Sequence, residues 1–207
     1  MLESLKEAPE DVWQLIKDWP LALQFDLPED SVVVVAGAYR GLVMELLRHL
    51  YPTCKLWGFE PQEWAAHDAA ERLRKFDPRV PWSILPYGLG IEDATLQIGE
   101  WHTDAASFIH TGPGSREQGS GSIKEFDPVM QYHRINKIDL FILNTEGYEW
   151  ELLPYLLEKD WLPRIERFAV QFHLGFGNEK PGVLPRIDET HNRVSDQFPA
   201  WVYWTIK

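Results

Sequence analysis

The sequence predicts an α/β fold with a mostly parallel, doubly wound sheet and helices on both of its faces. The segment SVVVVA, Ser31 to Ala36, is an apolar run of β-branched residues, the pattern of a strand buried on both faces of a parallel sheet. Strand-like and helix-like segments then alternate over short loops, as right-handed βαβ crossovers require. With 207 residues, 44% of them hydrophobic, the chain predicts one domain: a helical cap over residues 1–30 and a core over residues 31–207.

Local patterns predict the individual elements. From about Leu2 to Leu23 apolar residues fall loosely on one helical face, and Pro20 is a stop signal, which predicts the N-terminal helical cap. Leucines on one side of Gly41–Leu50 predict a helix that Pro52 ends. The later elements are a strand at Lys55–Phe59, a helix at Gln62–Phe76, strands at Trp82–Tyr87, Ala94–Gly99 and Lys137–Leu143, a helix at Glu149–Lys159, a strand at Arg167–His173, a helix around Ile187–Gln197 and a terminal strand at Ala200–Ile206.

The stretch from Glu100 to Ser122 is rich in Gly, Ser and His and is too broken to predict an element of its own. Loops this long in a compact domain are usually binding loops, lids or disordered segments. Trp101 and Phe108 flank its polar part and are candidates to line an acceptor pocket. Potential metal ligands in or near it follow no rigid ligand motif, so a solvated loop without a metal is the favoured interpretation; they are His102, Asp104, His110, Asp127 and His133.

The charge balance argues against a nucleic-acid partner. The formal net charge is -12, the pI is about 5.0, and no block rich in Lys and Arg occurs in the sequence. Proteins that bind by neutralising phosphates usually carry a basic stripe. We therefore expect neither RNA nor DNA as substrate.

The single cysteine, Cys54, allows no intramolecular disulfide and no cysteine metal cluster, which fits a reducing compartment. The N-terminal segment carries acidic residues and lacks the apolar core of a signal peptide. No apolar run approaches the roughly 20 residues that a transmembrane helix needs. These observations predict a cytoplasmic protein without a membrane partner.

Gly37 and Gly41 bracket the turn GAYRG, which follows the valine strand. In open α/β sheets ligands bind beyond the carboxyl ends of the strands, and glycine lets backbone N–H groups approach a ligand. The spacing differs from the G-x-G-x-x-G fingerprint, so a nicotinamide dinucleotide is disfavoured. Glu60, at the end of the next strand, can accept hydrogen bonds from both ribose hydroxyls of an adenosine.

An adenosine ligand without a pyrophosphate fits both features, and S-adenosylmethionine is such a ligand. The alternative is an ordinary tight turn between strand and helix, with Glu60 as an N-terminal helix charge ahead of Pro61. These residues alone do not decide between the two interpretations.

The segment IDLFILNTEGYEWELL, Ile138 to Leu153, resembles the FkbM family of S-adenosylmethionine-dependent methyltransferases. The turn GAYRG, FEP at Phe59–Pro61 and GLGIEDATLQI at Gly88–Ile98 occur in the same order as in that family, with a weaker match in VQFHLG at Val170–Gly175. The resemblance spans roughly Val32 to Leu157. It implies a Rossmann-like class I methyltransferase fold, S-adenosylmethionine as cofactor, and O-methylation of a hydroxyl on a small molecule or a sugar.

The resemblance also implies a cofactor site. Its residues would be Gly37, Ala38, Arg40 and Gly41 around the methionine end, Glu60 at the ribose, Pro61 and Gln62 at the adenine edge, Gly88 and Leu89 on the other face of the base, and Asn144 beside the sulfonium. Two positions depart from the family pattern: Ala36 replaces a usual Asp, and Asn144 replaces the Asp of the D-x-E-G motif, which resembles a subgroup of the family. They leave open a methyltransferase-fold binding or regulatory protein, and a nucleotide-sugar-modifying enzyme is a third hypothesis.

Removal of a hydroxyl proton needs a base, and an Asn side chain cannot act as one. Glu146 and His173 are the candidates at strand ends, and with Asn144 they form the expected catalytic set. The alternative for Glu146 is capping of the helix that follows it, and the alternative for His173 is a structural role.

The C-terminal segment WVYWTI bears on assembly. As an edge strand it would leave an apolar ribbon exposed, which requires a partner or a cover. A homodimer is one way to supply that cover.

Overall fold

The computed structural model describes residues 5, 8–19, 25–99, 118–175, 177–198 and 200–207. Its helices are α1 (Glu10–Asp18), α2 (Leu42–Leu50), α3 (Glu63–Leu73), α4 (Phe126–Tyr132), α5 (Glu149–Glu158) and α6 (Val183–Thr190), with a 3-10 helix at Leu162–Arg164. Its strands are β1 (Val32–Ala36), β2 (Lys55–Phe59), β3 (Trp82–Leu85), β4 (Gly88–Gly90), β5 (Ala94–Gly99), β6 (Gln118–Glu125), β7 (Leu140–Leu143), β8 (Arg167–Gln171), β9 (His191–Gln197) and β10 (Trp201–Ile206).

The main sheet has seven strands in the order β3-β2-β1-β7-β8-β10-β9. Its strands from β3 to β8 pair in parallel, and β10 runs antiparallel between β8 and β9. The strand order reverses between β1 and β7, which makes the carboxyl ends of these two strands the switch point. This topology confirms the predicted doubly wound α/β fold.

The central strand β1 is buried on both faces. Val33 and Val35 pack with apolar side chains of α1 and α2, whereas Val34 and Ala36 join a second cluster that includes α4, α5 and α6. All four of these side chains are at most 1% exposed. Successive residues of a strand point to opposite faces. The unbroken apolar run is therefore needed because neither face of β1 meets water.

A small second sheet has the order β4-β6-β5. β5 confirms the strand expected at Ala94–Gly99, and it pairs antiparallel with β6. The expectation that Glu100–Ser122 contains no element is wrong at its C-terminal end, because Gln118–Ser122 belong to β6. Residues 100–117, with the candidate pocket and ligand residues Trp101, His102, Asp104, Phe108 and His110, lie outside the described residues.

The helix expected around Ile187–Gln197 is also wrong. The helix ends at Thr190, and His191–Gln197 form β9, which pairs with β10 along its length. Pairing with an apolar neighbour outweighs the weak local preference of this polar segment. Neither α4 nor the separate strand β4 was expected from the sequence. None of the described helices is long and apolar enough to cross a membrane.

The terminal apolar strand is confirmed, but it is not an edge strand. β10 lies inside the sheet, and Val202, Tyr203 and Trp204 are at most 2% exposed. The edge on this side is β9, in which Arg193 pairs with Asp188 and Asp196 at 2.6 Å. The argument from an exposed apolar ribbon to a homodimer therefore does not apply to this sheet.

Candidate functional site

A cavity opens at the carboxyl ends of β1, β2 and β7, where the strand order reverses. Its lining consists of Gly37, Tyr39, Glu60, Pro61, Gln62, Gly88, Leu89, Ile123, Asn144, Thr145, Glu146 and Tyr148. Open α/β sheets bind their ligands at this position. Among the described lining residues the charged side chains are two carboxylates, Glu60 and Glu146, and no cation.

The cavity brings together most of the expected cofactor residues, namely Gly37, Glu60, Pro61, Gln62, Gly88, Leu89 and Asn144. Ala38, Arg40 and Gly41 lie in the same turn but do not line the cavity. Ala38 is buried in the cluster under α2, and the Arg40 Nε donates to Asp68 at 2.9 Å on the surface. Gly41 packs against α3, where an added Cβ would lie 2.8 Å from that of Ala69. These residues shape the turn rather than the cavity wall.

Glu60 is a buried carboxylate at the end of β2, only 4% exposed. Its Oε2 accepts the N–H of Tyr39 at 2.7 Å, and its Oε1 accepts the N–H of Gln62 at 2.9 Å. Burial raises the pKa of Glu60 from 4.5 to about 7, although both N–H groups favour the charged form. Each carboxylate oxygen can accept a further hydrogen bond. Glu60 can therefore bind two neighbouring hydroxyl groups.

Gly37 lies where the ends of β1 and β7 approach each other. Its φ is +80°, and an added Cβ would lie 1.7 Å from the carbonyl oxygen of Asn144. Its N–H donates to the carbonyl of Phe59 at 3.0 Å, which ties the turn to β2. Only glycine combines this backbone conformation with such a close approach. The turn then presents the N–H of Tyr39, itself at φ +44°, to Glu60.

The opposite wall of the cavity depends on two glycines of β4. A Cβ at Gly88 would lie 2.7 Å from Cδ1 of Ile123, and one at Gly90 would lie 2.2 Å from its Cγ2. Ile123 is in β6, which pairs with β4. Glycine at both positions thus lets the Ile123 side chain reach across β4 into the cavity wall.

Asn144 presents an unsatisfied acceptor at the end of β7. Its backbone N–H donates to the carbonyl of Ala36 at 3.0 Å, which fixes this end of β7 against β1. Its side-chain Oδ1 is buried and has no hydrogen-bond partner among the described residues. A buried acceptor without a donor is costly. A ligand that brings a donor group to Asn144 would remove this cost.

A histidine held by two glutamates lies beside the cavity. The Nε2 of His173 is 3.1 Å from Oε1 of Glu146, and its Nδ1 is 3.1 Å from Oε1 of Glu149. Burial alone would lower the pKa of His173, but the two carboxylates outweigh it and raise the pKa from 6.5 to about 9. The imidazole is therefore protonated at neutral pH. This protonation does not fit the expected role of His173 as the base.

Glu146 remains a candidate proton acceptor, because it lines the cavity. The alternative role as a helix cap does not match the structure: α5 begins at Glu149, after Tyr148, and has no side-chain cap. Glu149 instead accepts the N–H of Gly147 at 3.0 Å.

Sequence reasoning missed several residues of the site. Tyr39, Thr145 and Tyr148 line the cavity and fall inside the motifs GAYRG and IDLFILNTEGYEWELL, so each motif could have been extended to include them. Glu149 lies in the second motif too. Ile123 had no local signal, because it reaches the cavity through the pairing of β6 with β4.

The sheet order, with a cavity at its switch point, is that of a Rossmann-like α/β fold, and solved methyltransferases share this fold. Solved structures with a similar fold include an rRNA methylase from Streptococcus thermophilus (TM-score 0.52, 17% identity, 92% of this chain and 94% of that chain). A candidate rRNA methylase from Clostridium thermocellum (0.54, 11%, 93% and 94%) and a precorrin-6y C5,15-methyltransferase from Geobacter metallireducens (0.51, 11%, 92% and 88%) are also similar. At these identities the likeness concerns the fold alone. No protein-family model and no curated protein matches the sequence.

Proposed function

We propose that this protein is an S-adenosylmethionine-dependent methyltransferase in which Glu60 holds the ribose of the cofactor. The observation that carries the proposal is the buried carboxylate at the end of β2, whose two oxygens are oriented by the N–H groups of Tyr39 and Gln62. A carboxylate in this position suits a pair of ribose hydroxyls. The described cavity wall has no cation to balance a diphosphate, which disfavours a nucleotide sugar.

The residues present fit the proposed cofactor. Gly37 lets the turn lie directly against the Asn144 carbonyl at the switch point, which a Cβ would meet at 1.7 Å. The Oδ1 of Asn144, which has no partner among the described residues, can accept a hydrogen bond from a ligand donor. Pro61 and Leu89 provide apolar surface for the adenine ring of the cofactor. When bound, S-adenosylmethionine supplies an electrophilic methyl group. The chain's own contribution is to orient the reactants, which can lower the barrier by several kcal/mol, and to accept a proton.

For the acceptor we propose a hydroxyl group of a small molecule or a sugar, and for the chain a place in the FkbM family. Both rest on the ordered motifs from GAYRG to IDLFILNTEGYEWELL. Two of the similar structures are named as rRNA methylases, but a net charge of -12 and the acidic cavity wall disfavour a polyanionic acceptor here. The expected location is the cytoplasm.

A methyltransferase-fold protein that binds the cofactor without catalysis is the second candidate, favoured by Asn144 in place of the usual Asp. Calorimetric titration of the full chain with S-adenosylmethionine and S-adenosylhomocysteine, followed by methyl transfer to a panel of hydroxylated acceptors, distinguishes the two. Micromolar binding with transfer supports the proposal. Binding without transfer to any acceptor supports the second candidate, and no binding at millimolar ligand contradicts both.

A further inference from the structure

We propose that Glu149, which does not line the cavity, is a positioning residue that orients Glu146 through His173, and that Glu146 takes the proton of the methyl acceptor. The inference rests on the proposed function, and it selects Glu146 from the two candidate bases, Glu146 and His173. Three groups carry it, and each contacts the next: Glu149, His173 and Glu146.

Glu149 connects two loops at the carboxyl end of the sheet. Its side chain is fully buried in the first turn of α5. Its Oε2 accepts the hydroxyl of Thr145 at 2.9 Å and the N–H of Gly147 at 3.0 Å, on both sides of Glu146. Its Oε1 accepts the backbone N–H of His173 at 2.7 Å and approaches the ring Nδ1 at 3.1 Å. One carboxylate therefore sets the distance between the loop after β7 and the end of β8.

His173 is held at four points. Besides its two contacts with Glu149, its carbonyl accepts the indole N–H of Trp150 at 2.7 Å, and its Nε2 lies 3.1 Å from Glu146. A ring whose Nδ1–H is held by a carboxylate has a defined orientation. Among the described residues, the titratable groups that face it are Glu146, from the loop after β7, and Glu149, from α5. The Nε2–H therefore points toward Glu146.

Glu146 is the member of the set that faces the cavity. Its backbone has φ +51° and is followed by Gly147 at φ +102°, a turn that the amide of Asn178 also holds by donating to the Gly147 carbonyl at 3.0 Å. Residues at positive φ persist where their surroundings enforce the conformation. Glu149, His173 and Asn178 supply that enforcement here.

These contacts assign the proton transfer to Glu146. When an acceptor hydroxyl is methylated, its O–H bond breaks, the electron pair stays on the oxygen, and the proton passes to a carboxylate oxygen of Glu146. His173 cannot take this proton, because both ring nitrogens already carry one. Its role is to hold Oε1 of Glu146 at 3.1 Å from its Nε2, which fixes the position of this carboxylate in the cavity wall.

The test is a titration of His173 in the full chain labelled with nitrogen-15 histidine, with the His173→Gln variant identifying its signals. We expect both ring nitrogens to stay protonated through neutral pH, with a midpoint at about 9. A neutral ring at pH 7.5 would overturn the proposal. Because the titration needs no cofactor, a protein that shows this midpoint but binds no S-adenosylhomocysteine would refute the proposed function and leave the contacts intact.

A double-mutant cycle distinguishes a positioning role of Glu149 from the effect of its negative charge alone. Glu146→Gln should lower the His173 midpoint by about one pH unit or more, since one adjacent carboxylate is lost. In a Glu149→Asp background, which keeps the charge but shortens the side chain, the same change should have less than half that effect. Equal effects in both backgrounds would show that Glu149 does not position the pair. Glu151→Gln is the matched control in α5, because Glu151 pairs outward with Lys180 at 2.6 Å; it should leave the midpoint unchanged.

Discussion

The substitution Glu60→Gln tests the cofactor site with the smallest change in shape. Glutamine keeps one acceptor oxygen but places an NH2 group where the second oxygen accepts an N–H from Tyr39 or Gln62. It also removes the charge that a ribose hydroxyl would meet. A charge-assisted hydrogen bond contributes about 1.5–3 kcal/mol. We therefore expect the Kd for S-adenosylhomocysteine to rise roughly 10- to 150-fold.

The stability of the ligand-free protein should be unchanged or higher in Glu60→Gln, although the variant binds the ligand more weakly. The folded pKa of Glu60 is raised from 4.5 to about 7, so the folded state binds this proton more tightly than the unfolded state. The stabilisation that results is complete below pH 4.5 and is lost as the pH rises to 7, a difference of about 3 kcal/mol. Glutamine carries no charge and avoids this loss, while it gives up one hydrogen bond of about 1 kcal/mol. At pH 7.5 the variant should be at least as stable as the wild type.

The same pKa makes cofactor binding depend on pH. A protonated Glu60 has one acceptor fewer, so binding requires that its proton leave. Below pH 7 the affinity should fall, by up to about tenfold for each pH unit.

Calorimetry with S-adenosylhomocysteine between pH 5.5 and 8, together with urea unfolding at pH 7.5, measures all three effects. Glu63→Gln, an exposed acid in the first turn of α3, is the control and should change none of them. An unchanged Kd in folded Glu60→Gln, or a wild-type Kd that is constant over this pH range, would remove Glu60 from the binding site.

Three further predictions concern the rest of the site. Gly37→Ala should lower the free energy of unfolding in urea by more than about 3 kcal/mol, because its Cβ would meet the Asn144 carbonyl. Gly182→Ala is the control, because its Cβ would have open space around it, and it should change the free energy by no more than about 0.5 kcal/mol. Similar losses in the two variants would contradict this account of the turn. The raised pKa of His173 adds about 2 kcal/mol of stability after solvent screening, which is complete below pH 6.5 and is lost as the pH rises through about 9. His173→Gln should therefore make the free energy of unfolding less dependent on pH across this range. Parallel pH profiles of the unfolding free energy in wild type and variant would refute this prediction. Asn144→Asp should raise the ratio of the Kd for S-adenosylhomocysteine to the Kd for S-adenosylmethionine by about fivefold, because a carboxylate beside the sulfonium attracts its charge. An equal change in both Kd values would place Asn144 away from the sulfur.

Elements with a strong local pattern were predictable. β1 was predicted within one residue, because a strand that neither face exposes to water must be apolar throughout. β2 was predicted at its observed bounds for a similar reason. By contrast β6, with the sequence QGSGSIKE, and β9, with the sequence HNRVSDQ, have no apolar alternation. Their extended conformation depends on pairing with β4, β5 and β10, which no short stretch of sequence encodes.

The candidate site shows the same division. Gly37 and Glu60 were recognisable because each follows directly from a strand end, where ligands of this fold class bind. The protonation of His173 was not, because it depends on Glu146 and Glu149, which lie 27 and 24 positions earlier in the chain and meet the ring only when α5 packs beside β8. The sequence alone therefore left Glu146 and His173 as equal candidates for the base. The role of Gly90 was equally hidden, since the positions of Ile123 and Tyr148, both distant in the chain, require it.

By itself the sequence determined the α/β class, the buried parallel strands, and a glycine turn followed by an acid at the next strand end. These features depend on side-chain polarity and backbone freedom within a few consecutive residues. The tertiary structure alone decided that β10 is internal, that burial raises the pKa of Glu60 to about 7, and that two glutamates raise the pKa of His173. Burial and charge pairing act between residues distant in the chain, so their effects on a pKa or on a sheet edge exist only in the folded molecule.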